Sequence, residues 1–181
     1  RRRLGRLVMT KQLTFGQRCG RALKHLRGTP ATARQAFPER TLKAIETTIA
    51  DGEAMHRAEV RLIVEAALTP GMAYQGVSNR ERARELFAQY GVWDTEDNVG
   101  ILIYINLAEH QVDIVADRNV GRRVTPEQWH AVCRTMTKGF KDGNYHDSTL
   151  AALQQLNTLL QSHFPADGTR GNQLPNEPIL L

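Results

Sequence analysis

Oxygen donors crowd one short stretch of this sequence. Asp94, Glu96, Asp97 and Asn98 fall within five positions, and no lysine accompanies them before Gly100. Asp117 closes one apolar stretch further on, and Glu59 opens another upstream. Carboxylates and amide carbonyls at close quarters suit a hard cation such as Ca2+ or Mg2+, because full and partial negative charges replace its hydration shell. The spacing is not that of an EF-hand, and a site in so irregular a loop is expected to bind weakly, roughly 10⁻⁴–10⁻³ M. The plainer reading makes the acids ordinary loop formers, with Asp117 paired to Arg118 or Arg122.

Other chemistries have tighter spacing demands, which the sequence does not meet. It has no Gly-rich phosphate loop ending in Gly-Lys-Ser/Thr, no GxGxxG, no HExxH and no GxSxG elbow. A P-loop NTPase, a Rossmann dehydrogenase, a zincin and an α/β-hydrolase are thereby disfavoured. Of the six histidines, His56 lies near Glu59 and His146 precedes Asp147, while His110 falls at a turn. Cys19 and Cys133 stand far apart without CxxC spacing, so they read as free thiols in a reducing compartment.

The acids can act together only if strands bring them to one place. Ile101 to Leu107 is apolar on both faces and predicts a central strand covered from two sides. Val112 to Asp117 alternates, as a strand nearer an edge does. A turn centred between Glu109 and His110 would set Leu107 opposite Val112, Ile105 opposite Ile114 and Leu102 opposite Asp117. A third strand, Glu59 to Glu65, reaches the central one through a helix that opens with the capping-box spacing Ser78-Asn79-Arg80-Glu81. That crossover predicts a parallel pair with Glu59 at the same sheet end as Asp117.

Helices account for much of the rest. Leu42, Ile45 and Ile49 repeat at helical spacing from Pro38 to about Asp51. Thr125-Pro126 opens a helix carrying Trp129, Cys133, Met136 and Phe140, and Leu150, Leu153, Leu156 and Leu160 line a last one. Trp93 and Trp129 read as core anchors. The expected fold class is α/β, a three-layer α/β/α sandwich with a small mixed sheet of three to four strands. Residues 178–181 are the candidate fourth strand.

Charge divides the chain. Of 181 residues, 24 are Lys or Arg and 19 are Asp or Glu, a net charge of +5. Residues 1–34 hold ten of the basic side chains and no acid, so the body is mildly acidic. The organisation read from this is a basic N-terminal arm (1–36), an α/β/α domain (37–164) and a Pro-flanked C-terminal tail (165–181). With residues 13–27 helical, Phe15, Cys19, Ala22, Leu23 and Leu26 share one face of the arm. The arm can be a solvated tail, a contact to an anionic membrane surface or a membrane protein, or a nonspecific phosphate binder. It alternates basic with apolar residues and lacks Tyr or Trp for base stacking, which favours the membrane over nucleic acid and argues against sequence-specific nucleic-acid binding. No apolar run is long enough to span a bilayer and no secretory signal is legible. The expected location is cytoplasmic, with a peripheral contact to the inner membrane left open.

Several blocks in order resemble the TPM domain family: Arg61 to Glu65, Arg80-Glu81-Arg82-Ala83 with Leu86-Phe87, and Val92 to Glu96. Asn98 to Tyr104 followed by Val112 to Arg118 extends the resemblance over about residues 37–164. It is most similar to short bacterial members that end in a segment like Asn172 to Pro178. The resemblance implies an α/β/α sandwich, and it implies that a calcium-type site would fall on Asp94, Asp97, Asn98 and Asp117. The family includes thylakoid-lumen proteins for which acid phosphatase activity has been proposed. That makes a metal-dependent phosphatase the enzymatic expectation, although no committed nucleophile stands in the sequence. Many members place Gly-Tyr-Gly after the hairpin, where this chain has Ala116 to Gly121.

Overall fold

Residues 13–168 and 171–181 are described by a computed structural model. Most of the described helices start on a side-chain cap that the sequence encodes, a hydroxyl, amide or carboxylate oxygen accepting an otherwise orphaned amide. Thr14 caps α1 (Phe15–His25), Thr29 caps α2 (Pro30–Ala36), Ser78 caps α5 (Asn79–Gln89), Thr125 caps α7 (Pro126–Lys141) and Asn144 caps α8 (Tyr145–His163). Gly91 ends the Ser78 helix at φ 62°, a conformation glycine adopts without a Cβ penalty. The helix expected from Pro38 is α3 (Glu39–Glu53), with Pro38 itself as N-cap. Three short helices carry too few residues for apolar periodicity to reveal them: α2, α4 (Pro70–Gln75) and α6 (Arg118–Arg123).

The sheet order is β3-β2-β1-β4. β1 (Glu59–Glu65) runs parallel to β2 (Gly100–Asn106), and β3 (Gln111–Ala116) runs antiparallel to β2. β4 (Ile179–Leu180) adds to the far side of β1, so the C-terminal tail is part of the sheet. Two layers of helices complete the three-layer sandwich. Val60, Leu62, Val64, Ile101, Ile103 and Ile105 face α2, α3, α7 and α8, where Phe37, Ile45, Phe140 and Leu156 are fully buried. The alternate residues Ile63, Leu102 and Tyr104 face α5 and the tail, packing on Ala83, Leu86 and Leu174.

The hairpin register differs from the sequence expectation by two residues. Ile105 pairs with Val112 and Ile103 with Ile114, because the loop holds four residues, Leu107 to His110, with His110 at φ 52°. A slip of two leaves every side chain on its expected face, which is why the hydrophobic pattern alone could not detect it. Trp93 is a second correction. It is 55% exposed and anchors no core, whereas Trp129 packs partly buried against the larger one. Among the described residues, no helix is long and apolar enough to cross a membrane.

Candidate functional site

Glu59 and Gly100 are the paired first residues of the two parallel strands, and the Asp117 amide donates to the Gly100 carbonyl at 2.9 Å. The backbones of Glu59, Gly100 and Asp117 therefore meet at one end of the sheet. Gly100 is required there, since a Cβ would overlap the Val92 carbonyl oxygen. The side chains then separate. Glu59 Oε2 accepts the amides of Gln173 (3.2 Å) and Leu174 (3.0 Å) from the tail. Asp97 Oδ2 lies 3.3 Å from Arg57 Nη1, which also reaches Asp167 at 3.8 Å. Asp117 caps α6, its Oδ1 accepting the Arg118 amide at 2.6 Å while Oδ2 is buried without a hydrogen bond. Asn98 sits in the left-handed region at φ 56°, its carbonyl taking the Asn119 amide at 3.2 Å. Asp94 is exposed beyond this group. Among the described residues, no three His, Cys, Asp or Glu side chains form a ready ligand set.

Glu59 instead shares a cavity of about 340 Å³ with His56, the histidine the sequence sets near it, and with residues the sequence reading passed over: Glu53, Arg57, Gln173 and Asn176. Glu53 is in the last turn of α3, and its Oε1 accepts the Val60 amide at 2.9 Å. That bond ties the helix end to the strand start across a five-residue connection. Glu53 Oε2 is buried without a hydrogen bond of normal geometry, although the nearby Asn176 amide favours the ionised form. Burial pushes the Glu53 carboxyl up to about 8, opposed by the Val60 amide and reinforced by the charge of Glu59. Burial also raises Glu59, against its two tail amides. His56 is 2% exposed, and burial lowers its imidazole. The Asn157 side-chain nitrogen donates to the Thr48 carbonyl at 2.9 Å, so its oxygen faces His56 Nε2 at 3.3 Å and assigns the proton to Nε2.

Two carboxyls that burial raises, Glu53 to about 8 and Glu59 above its ordinary value, line this cavity beside a guanidinium. Chemically, such a pair can release protons to a cation or donate one to a leaving group. The other sequence candidates are structural. His146 Nδ1 lies 2.9 Å from the Thr41 hydroxyl, which is 1% exposed within α3. The Cys133 thiol is pushed up to about 11 by burial and is not poised as a nucleophile.

Comparison with known proteins follows from this geometry. The NMR structure of the BA42 protein from the psychrophilic bacterium Bizionia argentinensis superposes with a TM-score of 0.70 at 22% identity. It covers 78% of this chain and 93% of that one, which shows a shared fold. No curated protein matches the sequence significantly. The model of the TPM domain family matches residues 32–159, from α2 through most of α8. With that match spanning most of its length, the chain belongs to the TPM domain family.

Proposed function

We propose that this TPM domain is a cytoplasmic accessory module that takes up a divalent cation, Ca2+ or Mg2+, at the acidic end of its sheet. The observation that carries the reading is the pairing of Glu53 and Glu59 in one cavity, both raised by burial, with Glu53 Oε2 lacking a normal hydrogen bond. A bound cation would replace the Glu53 proton and offset the cost of two buried acids. Glu53 and Glu59 would be the charged ligands, with the Asn176 amide and water completing an oxygen shell and Asp97 at the rim beside Arg57.

The test is a titration of CaCl2 and MgCl2 followed by backbone amide shifts. Shifts concentrated at residues 53–60 and 94–100, with Asp117 to Gly121 responding through Gly100, are expected. Binding should tighten from pH 6.5 to pH 8.5, because the Glu53 proton is lost over that interval. Shifts that never gather at this sheet end would overturn the reading.

One observation favours a second reading, a metal-dependent phosphomonoesterase. Glu53 keeps its proton up to about pH 8 in the same cavity as Arg57, an acid and an anion anchor side by side. Turnover of a generic aryl phosphate should then fall in Glu53→Gln and in Asp97→Asn. Equal rates in wild type and both variants would reject it.

A further inference from the structure

The arm helix α1 is docked the wrong way round for a helix seeking a core. Its polar side holds the body: Arg21 Nε donates to Glu109 Oε1 at 2.5 Å, and Arg21 Nη2 donates to the Val77 carbonyl at 2.8 Å. His25 is 2% exposed, its Nδ1 accepting the Leu68 amide at 3.0 Å while Nε2 faces Glu109 Oε1 at 3.0 Å. Turning the helix to bury its apolar stripe would break all of these contacts, so the outward stripe is fixed and is not slack.

Phe15 is 72% exposed, Leu23 63% and Leu26 61%, and at ~100° per residue the three fall within ~80° of helix surface. Tyr74 of α4, 40% exposed, extends the patch through an edge-on ring contact with Phe15 at 6.4 Å. Arg18 lies on one flank and Arg27 on the other, and the first acid in the sequence is Glu39. Exposed apolar side chains gathered on one helix and flanked by cations mark an interaction surface.

We propose that this face is an interfacial membrane anchor that seats the domain on an anionic bilayer surface. The charge selects the occupant. A second copy would bring two uniformly basic arms together, and a nucleic acid would leave Leu23 and Leu26 in water. An anionic leaflet accepts both halves of the pattern, with the apolar stripe entering the headgroup boundary and Lys24 and Arg27 extending to the phosphates. This inference is independent of the cation reading, since it uses none of the acidic sheet end.

The test is co-sedimentation of the full chain with vesicles of phosphatidylcholine alone and of phosphatidylcholine mixed with phosphatidylglycerol. Binding to the mixed vesicles, about tenfold above the neutral ones and weakened above about 0.15 M salt, is expected. Phe15→Ser with Leu23→Ser and Leu26→Ser should remove it. Lys24→Glu with Arg27→Glu, which leaves the stripe and the Arg21–Glu109 contact intact, should weaken it about tenfold. Equal sedimentation with both vesicle types overturns the proposal. So does binding that survives the triple serine variant, or a dimer in solution that the same variant dissolves.

Discussion

Arg21 and Glu109 stand 88 positions apart in sequence, yet Nε and Oε1 are 2.5 Å apart, and through that contact the arm is fastened to the β2–β3 loop. Burial alone would raise the Glu109 carboxyl, but the hydrogen bonds from Arg21 and His25 outweigh it and hold it below the ordinary value. The linked stability is present above that ordinary value and is lost as pH falls through the depressed one. Amide exchange in residues 15–25 should therefore quicken in acid before the sheet is affected. Glu109→Gln should produce the same local loosening at neutral pH and lower global stability by about 1–3 kcal/mol in urea unfolding.

Glu53 has the opposite sign. Its folded-state value of about 8 lies above the unfolded one, so the folded chain holds a proton that the unfolded chain has released. Stability contributed by the protonated acid is full below pH 4.5 and falls as pH rises towards 8. Glu53→Gln should flatten that slope and stabilise the protein at pH 8 by on the order of 2 kcal/mol, measured by denaturant titration at two pH values.

Glu65 is 6% exposed on β1 and is held by Arg82 through three bonds of 2.7, 3.1 and 3.2 Å and by the Tyr104 hydroxyl at 2.5 Å. Tyr104→Phe should cost about 1–3 kcal/mol by removing one donor. Arg82→Ala should cost more, about 3–5 kcal/mol, because it leaves the carboxylate buried with only the phenol. Thermal unfolding of the two variants side by side checks the order.

Gly100→Ala should be among the most damaging single changes. The added methyl would meet a backbone carbonyl, that of Val92, which cannot rotate away as a side chain would. A loss of about 3 kcal/mol, or failure to accumulate soluble protein, is the expected outcome of expression and unfolding assays.

The layers of the sandwich were legible because burial on both sides leaves its mark on residue type. Ile101 to Ile105 could only be a covered strand, and the capping box at Ser78 and the Thr125-Pro126 pair announced their helices. The acidic end was legible as backbone, since strand polarity alone brings Glu59 and Asp117 to the same edge. Side-chain partners were not, because Asp97 turns to Arg57 and Glu59 to the amides of residues 173 and 174, distant contacts that no local spacing encodes. Glu53 lies just past the expected helix end at Asp51. The short connection from helix to strand was the available clue, since it forces the last turn of α3 against the first residue of β1. The outward face of α1 reverses the usual inference from amphipathicity, which assigns the apolar stripe to the interior. Only the burial of His25 and the contact of Arg21 with Glu109 reveal the opposite.

Ile179 and Leu180 complete the sheet by lying beside Ile63 and Val64, with the Ala66 amide closing on the Leu181 carbonyl. During synthesis, β1 and β2 leave the ribosome long before this partner does. One margin of β1 therefore stays unsatisfied until the final pairing segment has emerged. Without this segment the outer margin of β1 would be an open strand edge, able to pair with a neighbouring chain.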